Sequence, residues 1–222
     1  MPHHPDNFRA VNLLAFQDAA FCVAFRICFF MWRRQGGKSY TIASKAIDRM
    51  IEKPWRNCFF VSASIATGKE IVEKEATIWH DALGALKACQ DRLGKQLGGN
   101  VIDKASNDLL NVDDLAELMD KQAAQVRIYH TRTAYSRTKI LAPNPDTARG
   151  WTGDVFGDEI GFWPDFKGVW DAVEPIISRN PEFLFWLFST PPADDTHYTY
   201  DLLNPGIRIF KPNAAGNWYR SE

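Results

Sequence analysis

The stretch from Phe25 to Ser39, Phe-Arg-Ile-Cys-Phe-Phe-Met-Trp-Arg-Arg-Gln-Gly-Gly-Lys-Ser, constrains the fold more than any other. Its apolar run is too short to span a membrane and stops at a basic, glycine-containing turn, after which Tyr40 to Met50 resumes with helical spacing. A buried strand, a tight turn and a helix in that order open a nucleotide-binding α/β domain. Gly36 and Gly37 allow the turn amides to face an anion, and the next helix presents its unpaired N–H groups to the same phosphates. Lys38 is then the point charge for the terminal phosphates, and the Ser39 hydroxyl a ligand for magnesium. One position departs from the full phosphate-loop pattern: Trp32 stands where its first glycine belongs. A bare Gly-Lys-Ser also occurs in ordinary basic turns, so a second motif has to decide.

That second motif lies far along the chain. Ile140 to Ala142 reads as a short strand, residues 143–150 as a loop rich in Pro, Asn, Asp and Gly, and Asp154-Val155-Phe156-Gly157-Asp158-Glu159 as a strand ending in two acids. Adjacent side chains on an extended backbone point to opposite sides. Asp158 can therefore hold magnesium through its water shell while Glu159 faces the γ-phosphate and orients or deprotonates the attacking water. The alternative is a turn that happens to carry two acids. Val169 to Ile177 follows as a helix, and Phe183 to Phe188 as an aromatic buried strand ending in Ser189 and Thr190. Those hydroxyls are either γ-phosphate sensors or the polar end of a core strand.

The remaining segments are less specific. Phe8 to Phe21 suggests a short helix, Asn57 to Ser64 a second buried strand, Lys69 to Leu97 a long helix stopped by Gly98 and Gly99, and Gln125 to His130 a further strand. Asn111 caps a short helix through Met119. Thr131 to Lys139 reads as polar, and Ile207 to Phe210 as a strand. Arg127, Arg132, Arg137 and Lys139 are either a phosphate-facing group or scattered surface charge. A formal charge of -1 means that any nucleic-acid contact must come from such a local patch. Cys22, Cys28, Cys58 and Cys89 lack metal-ligand spacing and fit a reducing cytosol. Arg26 interrupts the only strongly apolar early stretch, and no signal peptide is apparent.

Taken in order, Gln17, residues 32–39, Val61-Ser62-Ala63-Ser64, residues 144–150, Val155 to Glu159 and Phe188-Ser189-Thr190-Pro191 resemble the ATPase part of phage terminase large subunits, most nearly the Mu-like packaging ATPases. The resemblance runs from Phe16 through Pro192. It implies a P-loop NTPase of the additional-strand, helicase-like type, with a mainly parallel sheet flanked by helices. It further implies ATP and Mg2+, double-stranded DNA, a portal and a small terminase subunit as partners, a ring of subunits on the portal, and the bacterial host cytoplasm at a procapsid. Gln17 resembles the adenine-side glutamine; Gln35, Gly36, Gly37, Lys38 and Ser39 the nucleotide-binding loop; Ser39 and Asp158 the magnesium residues. Glu159 resembles the water-orienting base, and Ser189 and Thr190 the coupling motif. Arg33 or Arg34 is the candidate for the arginine that stabilises the transferring phosphate, in its own subunit or a neighbour, with Arg149 a looser one.

The expected organisation is a flexible segment over 1–15, the ATPase domain over 16–203 and a tail, or the start of a linker, over 204–222. Members of this family normally continue into an RNase H-like nuclease, which this chain stops short of, so DNA cleavage is not expected of it. Two other functions share the same features: a nucleic-acid helicase or remodelling ATPase, and a noncatalytic nucleotide-binding regulator or prophage remnant.

Overall fold

The computed structural model describes residues 12–96, 119–122, 125–192, 196–203, 210–212 and 218–220. In chain order the elements are α1 (Ala15–Phe21), β1 (Ile27–Met31), α2 (Lys38–Glu52), β2 (Asn57–Ser62), α3 (Ile65–Gln96), β3 (Met119–Gln122), β4 (Gln125–Tyr129) and β5 (Tyr135–Leu141). There follow α4 (Pro145–Ala148), β6 (Asp154–Asp158), α5 (Phe166–Arg179), β7 (Phe185–Ser189), α6 (Tyr198–Leu203), β8 (Phe210–Pro212) and β9 (Trp218–Arg220). The expected helix from Asn111 lies largely outside the described residues, as do residues 207–209 of the expected strand before β8.

Among the described residues the strands form one nine-stranded sheet in the order β3-β4-β5-β2-β6-β7-β1-β9-β8. Its centre, β5-β2-β6-β7-β1, is parallel, and antiparallel pairs extend both edges. The expected mainly parallel sheet flanked by helices is therefore what the chain builds. β7 inserts between β1 and β6, so the strand leading into the glycine turn and the strand ending in Asp158 are not neighbours.

Period-two alternation assigns each strand residue to a face. Cys28, Phe30, Cys58, Phe60, Phe156, Trp186 and Phe188 pack with Ile42, Ala46, Met50, Ile71 and Ile78 of α2 and α3. Phe29, Phe59, Val61, Val155, Phe185 and Leu187 pack instead with Phe166, Val169, Val173 and Ile177 of α5. Because both faces are covered, the central strands read as continuous apolar runs. α2 stops at Glu52 because Lys53 precedes Pro54 and is held extended. α5 starts where the Asp165 carboxylate accepts a 2.8 Å hydrogen bond from the Gly168 amide.

Two segments depart from the sequence expectation. β5 begins at Tyr135, inside the stretch read as merely polar. Its inward positions are the hydroxyls of Ser136 and Thr138, both buried, which donate to the Lys53 carbonyl (2.7 Å) and the Glu75 carboxylate (2.8 Å). A strand whose buried face is hydroxylic carries no apolar alternation. The other is Pro145–Ala148, a single helical turn within the expected loop. The late aromatic pair Trp218-Tyr219 adds to the sheet as β9, paired antiparallel with Met31 and Phe30 of β1.

Candidate functional site

All five parallel strands end at the same edge, which therefore gathers Trp32, Ser62, Leu141, Asp158 and Ser189. The turn after β1 wraps this edge. Trp32, at the departing position, is 2% exposed and packs edge-on against Phe16, Phe30 and Phe188, anchoring the base of the turn in the core. Its amide donates to the Ser189 carbonyl at 2.9 Å, tying the turn to the end of β7. Gln35 (φ 59) and Gly37 (φ 73) are left-handed, which reverses the chain so that α2 starts at Lys38 with its first amides facing the edge.

Close packing gives Gly37 a second reason to be glycine. A Cβ at Gly37 would lie 2.1 Å from Gln17 Nε2, and one at Gly36 3.1 Å from the Arg33 carbonyl oxygen. The buried Gln17 amide is committed to the turn itself: Nε2 donates to the Gly36 carbonyl at 3.1 Å, and Oε1 accepts from the Leu14 amide at 2.8 Å. Its visible task is to brace the glycine turn against α1.

Around this turn four side chains close in two pairs. Lys38 Nζ lies 3.1 Å from Glu159 Oε1 and donates to the Arg33 carbonyl at 3.4 Å. Ser39 Oγ donates to Asp158 Oδ2 at 3.1 Å. The twin acids separate as their alternation requires: Asp158 is 2% exposed on the α2 side, whereas Glu159 turns away through a left-handed backbone (φ 50, ψ 49). Such a conformation in a non-glycine residue costs about 1–3 kcal/mol and must be held by its surroundings. Here Glu159 Oε2 accepts from both the amide (3.0 Å) and the hydroxyl (3.1 Å) of Thr190, and the Trp163 indole donates to the Asp158 carbonyl at 3.0 Å. Ser189 Oγ accepts from the Gly161 amide (3.0 Å) and donates to the Thr190 carbonyl (2.7 Å).

Burial, and then the neighbouring Glu159 charge, raises the Asp158 carboxyl to about 6; the Ser39 hydrogen bond and the Lys38 and Lys74 charges pull the other way. Two oxygens here are buried without a hydrogen-bond partner, Asp158 Oδ1 and Ser62 Oγ. Among the described residues no three His, Cys, Asp or Glu side chains group as a metal cage. One carboxylate beside a hydroxyl is instead the hard-oxygen set that suits Mg2+, which keeps several waters and takes further oxygens from substrate phosphates. The residues present fit that ion.

Arg33 and Arg34 are exposed on the turn. Arg149 is exposed on the connection from α4 toward the opposite edge, where Trp151 stacks on Phe59 and the Thr152 carbonyl accepts from Asn57 at the start of β2. A cavity of about 170 Å³, lined by Lys53, Trp55, Arg56, Asn57 and Glu182, also opens at that opposite edge. Lys74 carries no signal in the sequence, because its influence on Asp158 depends on how α3 crosses the sheet, for which no motif exists.

Residues 29–215 match the protein family described as "Terminase large subunit, T4likevirus-type, N-terminal". The chain belongs to this family. Solved structures of large terminases share its fold. The ATPase domain of the Thermus phage P74-26 large terminase is 18% identical, with a TM-score of 0.52 over 90% of this chain and 68% of that one. The HK97 bacteriophage large terminase is 14% identical, with a TM-score of 0.59 over 89% of this chain and 37% of that one. A comparison with curated proteins finds no match. The family description reads T4-like; a Mu-like subtype is not specified by any of these likenesses. No described helix of this terminase-family chain is long and apolar enough to cross a membrane.

Proposed function

We propose that this chain is the ATP-hydrolysing motor part of a DNA-packaging large terminase. The observation that carries the reading is the closure of Lys38 on Glu159 (3.1 Å) and Ser39 on Asp158 (3.1 Å) across an inserted strand. A cation, a hydroxyl and two carboxylates of unequal burial at a helix N-terminus supply the parts that phosphoryl transfer to water requires. Lys38 and the first amides of α2 bind the terminal phosphates. Ser39 and Asp158 would hold Mg2+, which would supply neutralisation of the phosphate charge.

Glu159 is the general base. Its Oε1 is held by Lys38, so a phosphate that draws Lys38 away frees that oxygen to orient water, while Thr190 keeps Oε2 in place. Loss of the γ-phosphate is felt through the same Thr190 contacts and through Ser189, which joins the end of β7 to Gly161. Arg33 or Arg34, exposed on the turn, stabilises the transferring phosphate in its own subunit or a neighbour. Gln17 and Gln35 support the nucleotide side of the turn.

The family also supports translocation of double-stranded DNA into a procapsid in the host cytoplasm, with the portal, a small terminase subunit and a ring of like subunits as partners. The order of motifs from Gln17 to Pro191 supports a Mu-like packaging ATPase as the finer assignment. Steady-state ATP turnover by wild type and Glu159→Gln, each with and without duplex DNA, tests the proposal. Wild type should hydrolyse ATP faster with duplex, and Glu159→Gln should lose about 10²- to 10⁴-fold. Turnover unchanged in both Glu159→Gln and Lys38→Ala overturns it.

A further inference from the structure

Ser62, within Val61-Ser62-Ala63-Ser64, stands beside the centre of the site. In the parallel pairing of β2 with β6, Ser62 is in register with Asp158. Both continue the alternation of Phe60 and Phe156, so their side chains share the face covered by α2 and α3. Adjacent strands lie about 4.8 Å apart, within the span of one bridging water. Ser62 Oγ and Asp158 Oδ1 nevertheless have no hydrogen-bond partner, although the two residues are 1% and 2% exposed. An unpartnered buried polar atom is costly, and two neighbours from adjoining strands incur that cost at one spot. The other carboxylate oxygen, Asp158 Oδ2, already accepts from Ser39.

We propose that Ser62 is a positioning residue for the magnesium site: its hydroxyl and Asp158 Oδ1 jointly hold one water of the ion's coordination shell. Such a water has two protons to give, and these two oxygens are acceptors placed side by side to take them. Ser62 thereby fixes the side of Asp158 that faces away from Ser39. This inference rests on the phosphohydrolase reading, since that reading puts the cation there.

The test is Mn2+ uptake, followed by electron paramagnetic resonance, with a non-hydrolysable ATP analogue and the intact chain. Ser62→Ala should weaken metal affinity about 10-fold or more, the usual consequence of losing an outer-shell partner. Binding of the analogue in EDTA should be unchanged, because nothing proposed for Ser62 touches the nucleotide. Ser62→Thr, which keeps the hydroxyl, should restore at least part of the affinity. The ligand-free melting temperature of Ser62→Ala should stay level or rise, since the substitution removes an unpartnered buried group. Undiminished Mn2+ uptake by Ser62→Ala, or an equal loss of analogue affinity in EDTA, overturns the inference alone. Wild-type protein that takes up no Mn2+ with the analogue overturns the phosphohydrolase reading and this one with it.

Discussion

Lys38 Nζ and Glu159 Oε1 stand 3.1 Å apart, so the cation of the glycine turn and the acid beyond β6 neutralise one another. Lys38 is 6% exposed and Glu159 28%, so the pair is partly shielded from water. A nucleotide must compete with Glu159 for Lys38. Glu159→Gln should therefore bind a non-hydrolysable ATP analogue roughly 2- to 5-fold more tightly than wild type, the scale of a partly exposed ion pair, while losing turnover. Calorimetry measures both affinities; weaker binding by the variant would show that the two residues do not compete in this way.

Protonation of Asp158 links site and stability. Its carboxyl, ordinarily at 3.8, is raised to about 6, chiefly by burial and then by Glu159. Between those values the folded chain keeps a proton that the unfolded chain has released, so stability falls as pH rises through that window. The penalty is absent below about pH 4, complete above about pH 6, and on the order of 3 kcal/mol. Asp158→Asn in EDTA should thus melt higher than wild type at pH 7.5, with the gap closing near pH 4. A gap independent of pH would refute this account of Asp158.

Restoring the missing glycine of the phosphate loop should harm the protein. Trp32→Gly empties a position that is 2% exposed and ringed by Phe16, Phe30 and Phe188. Truncating such a residue costs about 3–5 kcal/mol, enough to unfold many domains of this size. Urea denaturation would register it as a lower midpoint, and an unchanged midpoint would mean that Trp32 does not anchor the turn.

Gly37 and Gln17 should be coupled. Gly37→Ala pays about 1–2 kcal/mol for its left-handed backbone, and its Cβ would also collide with Gln17 Nε2. In a Gln17→Ala background the collision disappears, so the further cost of Gly37→Ala should shrink toward the backbone term. A double-mutant cycle by urea unfolding checks this; strict additivity would exclude the contact.

At the opposite edge Asp154 serves structure alone. It is fully buried and accepts from Arg49 Nε (2.9 Å), Arg49 Nη2 (3.3 Å) and the Leu184 amide (2.8 Å). Asp154→Ala leaves the Arg49 guanidinium with Glu52 and the Glu182 carbonyl but takes the acceptor from the buried Leu184 amide, and should cost about 1–3 kcal/mol in chemical denaturation, while turnover per folded molecule stays at the wild-type level. A selective loss of turnover would mean that this edge also serves the reaction.

Sequence alone determined the elements with a local cause. An apolar run cut by Gly36-Gly37 gave β1 and α2, Pro54 set the end of α2, and aromatic runs ending in Asp158 and Ser189 gave β6 and β7, because periodicity, turn chemistry and proline geometry act over a few residues. It also singled out Lys38, Ser39, Asp158 and Glu159, residue types whose spacing matched a known chemistry. It could not reveal β5 from Tyr135, whose buried hydroxyls look like surface. Nor could it show that Gln17 braces Gly36, that Lys74 acts on Asp158, or that Ser62 stands in register with Asp158. Those relationships depend on strand order and helix crossing, set by how two aromatic cores pack on either face of one sheet. Tertiary structure alone decides which distant side chains share an edge.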